Sequence, residues 1–255
     1  MWIFESEGGL PAHDLRVVVP NGRHRLVIPW RNGLVLQDGD RVETFGDPVL
    51  VGLWDRPVSI GSEPLPTVSI GVELTAAAIT RFFRVGPVEL TDRAVPLVDA
   101  WAPGGRLLAE RLRECPSVEA AAGVLHGALL AALLDGDPRP TVVDHALAAM
   151  AAAGYRMPIG ELARQTGYSR RRLSTLFLER TGLPPSELQA ILAFEQVYRR
   201  LGVDRSPARL RDLALGTYAD QPHFIRRFRQ FTGMAPRHFL QRGNEFGLLF
   251  YGDHR

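Results

Sequence analysis

The chain has 255 residues, 45% hydrophobic and 23% charged, which excludes a disordered polyelectrolyte and allows two domains of ordinary size. One cysteine, Cys115, excludes a disulfide framework and a cysteine-based zinc site, and reads as a small packing side chain rather than a reactive thiol. The net charge of +2 hides a division, because residues 1–155 carry 13 Arg against 19 Asp and Glu, −6, whereas 156–242 carry 16 Arg against 7, +9. An acidic portion joined to a basic one is the pattern of a polyanion-binding module attached to something else.

The opening "MWIFESEGGLPAHD" has no basic stretch followed by an apolar core, so no signal peptide is expected. With no apolar run near 18 residues foreseen, neither is a membrane span, and the cytoplasm is the default compartment. The first 75 residues then read as β. "LRVVVP", "RLVIPW", "GLVLQ", "DPVLVGLW" and "TVSIGVEL" are short β-branched runs separated by the turn-forming "PNG", "RNG", "QDGD" and "SEPLP". Strands at this spacing predict a small sandwich or barrel. Trp30, Trp54 and Arg56 fall in or beside these strands, where they would either line a ligand pocket at a barrel mouth or serve as core tryptophans beside a surface arginine.

Near Leu74 the texture turns helical, through "TAAAITRFFR", "GGRLLAERLREC", "SVEAAAGVLHGALLAALL" and "TVVDHALAAMAAAG". The apolar faces of 104–134 suit a homodimer interface as well as they suit packing onto the chain's own sheet. "DGDPRP", 135–140, is the linker candidate, and Thr141 with Asp144 fits a capping box just beyond it. From 157 to 242 the pattern is helical, interrupted at Gly167, 182–185, 202–207 and 233–236.

This basic third repeats itself at an offset of 51 residues. "ELARQTGYSRRRLSTLFLERTGLPPSEL" (161–188) lies without a gap over "DLALGTYADQPHFIRRFRQFTGMAPRHF" (212–239). Identical pairs include Ala163/Ala214, Phe177/Phe228, Thr181/Thr232, Gly182/Gly233 and Pro185/Pro236. In the first copy small Ala163 admits a crossing helix, Gly167 allows a turn, and Ser169 caps a helix that begins Arg170, Arg171, Arg172. Leu173, Leu176 and Phe177 bury one face of that helix, and Arg171, Ser174 and Thr175 occupy the other. This is helix-turn-helix logic, in which a buried stripe holds the second helix while its N-terminal half enters the major groove. In the second copy Asp220 is the cap, Phe224 and Phe228 are buried, and Gln221, His223, Ile225, Arg226 and Arg227 take the exposed region. Three arginines alone more often mean a solvated face; the repeat, the turn glycine and the local charge reverse that preference.

On these two segments, above all "YADQPHF…RF…TG…P", residues 157–242 resemble the DNA-binding domain of the AraC/XylS family of transcription regulators. The resemblance implies seven helices, two of which face neighbouring major-groove segments, and no catalytic chemistry. It also implies that the base-facing residues are Arg171, Ser174 and Thr175 in the first unit and Gln221, His223 and Arg226 in the second, with Arg170, Arg172, Arg227 and Arg229 meeting phosphate or steadying the docked helices. Two departures from the family stand in the sequence: no glycine immediately precedes Tyr218, and Ala193 occupies a place where many relatives carry Arg. Residues 1–135 resemble more weakly, through "VPNGRHRLVI" and "FFRVGPVELTDRAVPLVDAW", the β-rich sensor domain of such regulators.

The seven histidines never fall in a paired ligand spacing; only His13 and His24 could meet across strands, and ordinary surface or core histidines are the favoured reading. No P-loop, G-x-G-x-x-G or G-x-S-x-G is present. The expectation is an α+β protein. A β-sandwich or barrel-like sensor domain with a helical connector occupies 1–135, an all-α double helix-turn-helix 141–242 (units about 157–188 and 207–240), and a tail 243–255. Its partners are double-stranded DNA, RNA polymerase and an unidentified small effector; no cofactor, metal or membrane is expected. Two alternatives stand beside it: an enzyme or DNA-repair protein using the same DNA-binding module, for which Cys115 is a poor nucleophile, and an interaction module that has lost DNA specificity.

Overall fold

The computed structural model describes residues 1–6, 16–62, 65–101, 103–136, 139–201, 206–218 and 220–241. Nine strands occur among them: β1 (Trp2–Ser6), β2 (Arg16–Val18), β3 (Arg23–Arg31), β4 (Leu34–Asp38), β5 (Arg41–Phe45), β6 (Val49–Val51), β7 (Val58–Gly61), β8 (Thr67–Thr75) and β9 (Ala94–Pro96). They build one antiparallel sheet ordered β1-β8-β3-β6-β9 and a second ordered β2-β7-β4-β5. The alternation along β3 explains the layering, since successive side chains of a strand face opposite ways. Leu26 and Ile28 enter a core shared with helices, whereas Val27 meets Val18, Leu36 and Val58 of the second sheet. The β3–β8 register shifts between Pro29 and Arg31, where proline supplies no N–H to the ladder. The expected sandwich is present. Strands β1, β5, β7 and β9 go beyond the runs that suggested it, and β9 lies in the stretch whose texture reads as helical.

Five helices follow or interleave: α1 (Ile79–Phe82), α2 (Pro87–Leu90), α3 (Leu97–Ala100), α4 (Gly105–Arg113) and α5 (Val118–Asp135). Leu108 and Leu112 of α4 and Ala121 and Leu125 of α5 pack over Leu26, Leu50 and Ile70, so the connector's buried faces serve the protein's own sheet. One expectation needs correction: α5 is 18 residues long and apolar enough, by length and composition, to cross a membrane. Its buried positions Val118, Ala121, Ala122 and Leu125 make it part of this core, while Leu130, Leu133 and Leu134 remain exposed.

The remaining helices are α6 (Val142–Ala152), α7 (Ile159–Thr166), α8 (Arg170–Thr181), α9 (Pro185–Leu201), α10 (Pro207–Thr217), α11 (Gln221–Thr232) and α12 (Pro236–Gln241). The capping box at α6 forms as expected: the Thr141 N–H donates to Asp144 Oδ2 at 2.7 Å and the Asp144 N–H to Thr141 Oγ1 at 3.3 Å. Burial pushes the Asp144 carboxyl up, but these hydrogen bonds and Arg81 at 3.3 Å outweigh it and hold the group below its ordinary range. Helix α9 is the spine. Its buried Leu188, Ile191, Phe194, Val197 and Leu201 repeat at helical spacing, and the Phe194 ring packs on Phe228 and Phe231 at 5.7 and 5.1 Å. Val19, Leu53, Ala76 and Ala77 from the first half join this same cluster, so the two halves share buried apolar surface.

Candidate nucleic-acid interface

The first unit is built from α7 and α8. Gly167 ends α7 in the left-handed conformation, φ 73°, which glycine adopts without a Cβ clash. The Tyr168 N–H closes the turn on the Ala163 carbonyl at 3.1 Å, and the Ser169 hydroxyl then caps α8 by accepting the Arg172 N–H at 3.2 Å. Leu173 and Phe177 are fully buried, which fixes the roll of α8. Arg170, Arg171 and Arg172 are thereby exposed at its N-terminus, with Ser174 and Thr175 half-buried beside them. The Arg170 guanidinium lies where any side chain on Gly160 would have to go, so part of that arginine is packed over α7.

Helices α10 and α11 form the second unit. Ser206 caps α10 and Asp220 caps α11, the latter accepting the His223 N–H at 2.7 Å. Phe224, Phe228 and Phe231 are buried, Gln221 and Arg226 are exposed, and His223 and Ile225 are half-buried. Arg227 departs from the exposed position expected of it. Its guanidinium donates to both Glu187 carboxylate oxygens, at 2.8 and 3.0 Å, and to Gln230 at 2.8 Å, which makes it a strut between α11 and α9. A pair 40 residues apart leaves no local signal in the sequence.

Neither α8 nor α11 has an acidic residue in its first turn. The N-terminal end of a helix is already positive, so three arginines there repel the helix's own dipole and favour an anion docking at that end. Both units also end alike. Thr181 and Thr232, each buried, donate to the carbonyls of Phe177 and Phe228 at 2.8 and 2.7 Å and accept the N–H of Leu183 and Met234 at 3.3 Å. Gly182 and Gly233 follow at φ 80° and 74°.

Those two glycines touch the β-rich half. A Cβ on Gly182 would strike the Pro87 carbonyl and the Thr91 hydroxyl, and that hydroxyl lies 3.2 Å from the Gly182 carbonyl. Gly233 faces Pro57, and the neighbouring Gln230 side chain donates to the Asp55 carbonyl at 3.3 Å. A third contact sets Gly22 against Leu188 and Leu192 of α9. Alongside it Glu195, paired with Arg199 at 3.5 Å, has its carboxyl pushed up by burial, with Arg199 and Arg23 opposing.

Between the sheets lies a cavity of about 70 Å³, walled mainly by apolar groups and including Trp2, Trp54, Val27 and Leu36. Arg25 and Asn21 reach it, and both bind Glu73 Oε1, at 3.1 and 3.3 Å. Of the three pocket residues expected, Trp54 alone is brought to this cavity. Trp30 packs on the helix-facing core beside Leu112, in keeping with its even position in β3, shared with Leu26 and Ile28. Arg56 lies 5.3 Å over the Trp54 ring but spends its charge on Asp38 and Asp92, each at 2.7 Å. That pairing holds the Asp38 carboxyl low, whereas burial pushes Asp92 up. His24 is a buried core histidine. Burial lowers it to about 4, with the Ala76 backbone opposing, and His13 lies outside the described residues. No cluster of metal-ligating side chains occurs among the described residues.

The sequence of residues 162–242 matches the family described as "Helix-turn-helix domain". No curated protein matches the chain. Among solved structures, ToxT from Vibrio cholerae O395 bound to (E)-4-(8-methylnaphthalen-1-yl)but-3-enoic acid is similar over 94% of this chain and 97% of its own, at 10% identity and TM-score 0.50. Wild-type ToxT from Vibrio cholerae strain SCE256 with an unsaturated fatty acid bound aligns over 93% and 94%, at 11% identity and TM-score 0.48. The AraC-like transcriptional activator CuxR aligns over 73% and 70%, at 14% identity and TM-score 0.27. Two capped, cationic helices on one scaffold behind a two-sheet half define a DNA-binding regulator of the helix-turn-helix class. More particularly, residues 162–242 are a helix-turn-helix domain of the AraC type.

Proposed function

We infer that α8 and α11 enter two neighbouring segments of major groove on one side of a DNA duplex, so that residues 141–242 act as the reading domain and 1–135 as the domain that positions it. The observation that carries this reading is the duplicated arrangement itself: two N-capped helices without first-turn acids, held by the same buried Thr–Gly ending. Arg171, Ser174 and Thr175 read bases from the first unit, and Gln221, His223 and Arg226 from the second. Arg170, Arg172 and Arg229 meet phosphates, which fixes register without specifying sequence. A small, largely apolar effector suits the cavity at Trp54, because Arg25 is already matched by Glu73 and the remaining walls offer mainly hydrocarbon. RNA polymerase and a second copy of the chain are the protein partners that a promoter-bound regulator of this kind would meet.

Binding-site selection from random duplex DNA, at about 150 mM salt with excess non-specific competitor, tests the reading. A two-part motif with its halves about one helical turn, ~10 base pairs, apart is the expected outcome. A one-part motif would restrict base reading to one unit. Absence of any motif, with and without candidate effectors, would overturn DNA reading in favour of an interaction module.

A further inference from the structure

A helix leaves the carbonyls of its last turn without partners inside it, and a cation placed there both satisfies one of them and meets the negative end of the helix dipole. Four of the five helices from α7 to α11 supply that cation themselves: Arg164 on α7, Arg180 on α8, Arg199 and Arg200 on α9, and Arg229 on α11. Helix α10 is the exception, with no basic residue in its last turn. Its end is also the place where the second unit lacks the glycine turn of the first. At α7 the chain doubles back through Gly167, and the N–H groups of Gly167 and Tyr168 close on the carbonyls of Arg164 and Ala163. At α10 the chain runs on in extended conformation from Tyr218.

The missing cation comes from outside the second unit. Arg156 stands in the turn between α6 and α7, and its Nη1 donates to the Gly216 carbonyl, in the last turn of α10, at 3.0 Å. Two successive left-handed residues, Gly154 and Tyr155, both at φ 59°, bend the chain just before it. That bend is itself anchored. The Tyr155 N–H donates to the Met150 carbonyl at 2.7 Å, and the Gln189 side chain of α9 donates to the Met157 carbonyl at 2.8 Å. An arginine mounted on a fixed turn thus holds the end of α10 from which the chain passes into α11.

We propose that Arg156 is a positioning residue of the second unit, which sets the end of α10, and through it the angle of α11, relative to α8. This role rests on the entry of α8 and α11 into one duplex, inferred above, and fixes the phase between two half-motifs rather than the identity of any base. Because Arg156 is exposed and cationic, the competing role is direct contact with phosphate. The two roles differ in what loss of the side chain does. A lost phosphate contact weakens every duplex alike and lowers the salt slope of binding by about one. A lost brace leaves the salt slope alone and makes the protein tolerant of altered spacing.

The test uses the full chain as wild type, Arg156→Ala and Arg156→Lys. Each is bound to the duplex that wild type selects and to duplexes whose halves stand one base pair closer or farther, which turns one half by roughly a tenth of a helical turn. The preference for the selected spacing should shrink about three- to tenfold in Arg156→Ala at an unchanged salt slope, and Arg156→Lys should restore part of it, since an ammonium can donate to the same carbonyl. An undiminished preference would overturn the proposal. So would a uniform loss on all spacings with a slope lower by about one, which would assign Arg156 to phosphate. Amide hydrogen exchange without DNA is the second readout. Arg156→Ala should speed exchange at Gly216, Thr217 and Tyr218 about threefold and leave α8 unchanged, and equal exchange in the two proteins would count against the brace. If wild type selects no duplex while this exchange difference is present, the DNA reading fails and the brace stands.

Discussion

The two helix-turn-helix units share their helices and their ending but solve the turn between helices differently. In the first unit the position after Thr166 is Gly167, left-handed and exposed, and α7 stops there. The equivalent position after Thr217 is Tyr218, extended at φ −104° and ψ 151°, with its ring buried against Phe224 and His223 at 5.2 and 5.6 Å. Without a glycine at this point the backbone does not turn through positive φ. The chain instead extends and drives an aromatic into the core, where burial raises the Tyr218 hydroxyl's pKa and leaves that hydroxyl with no hydrogen-bond partner among the described residues. The same repeat thus yields a turn held by backbone geometry in one unit and a turn held by an aromatic wedge in the other. The difference also falls beside a groove between α10, α11 and α12, which Tyr218 helps to line.

The largest expected effect separates the units at their C-caps. Gly182→Ala should destabilise the protein by about 3–5 kcal/mol, because the new Cβ must both adopt a left-handed backbone and displace the Pro87 carbonyl. Gly233→Ala, whose nearest neighbour is Pro57 at 3.6 Å, should lose only the conformational part, about 1–2 kcal/mol. Urea denaturation of the two variants measures the contrast, and equal losses would mean that the β-rich half does not distinguish the units.

Acidification should act on both units through their shared platform. His24 is lowered from 6.5 to about 4 in the folded protein, so the unfolded chain binds the extra proton and stability falls as pH drops from 6.5 towards 4. The loss attributable to this group is about 3 kcal/mol by the lower limit, and His24→Gln should flatten the acid limb of a stability–pH profile. A limb that persists unchanged would shift the cause to the carboxylates.

Base reading is the next smaller contrast. Arg171→Ala should relax preference at one base of the selected motif and weaken specific binding by about 1–3 kcal/mol. Gln221→Ala should do the same in the other half-motif if the wedge-built turn presents α11 as well as the glycine turn presents α8. An unaltered motif in the Gln221 variant, beside an altered one for Arg171, would make the second unit a backbone anchor. The smallest effect concerns the strut: Glu187→Gln leaves Arg227 with weakened partners and should lower stability by about 1 kcal/mol, loosening α11 while leaving protection of the α8 amides against hydrogen exchange unchanged.

The repeat makes the C-terminal helices and both caps legible from the amino acids alone, because Ser169 and Asp220, Gly182 and Gly233, and the buried phenylalanines are local signals that occur twice. What stays hidden depends on partners distant in sequence. β9, three residues long, is a strand only because β6 lies beside it. β5 offers no buried period, since Arg41, Val42 and Thr44 are exposed and Glu43 and Phe45 are only half-buried. Arg227 reads as free because Glu187 lies on another helix. Arg56 reads as a pocket residue because Asp38 ends β4 and Asp92 follows α2, both far from it along the chain. The cavity is half visible: Trp54 lines it, whereas strand alternation alone sends Trp30 to the opposite face.

The contacts of Gly182 and Gly233 with the β-rich half have a consequence for the phase of recognition. DNA presents its major groove as a screw, so two reading helices must agree in angle as well as in distance, and a few degrees of error at one of them forfeits bidentate contacts. Helix α9 alone would set that phase with a single rod. Here Pro87 and Thr91 touch the far end of α8, and Asp55 and Pro57 touch that of α11, so the β-rich half closes another path between the two helices. Because Asp55 and Pro57 lie between Trp54 and Val58, both on the cavity wall, the segment that braces the end of α11 is continuous with the lining of the cavity.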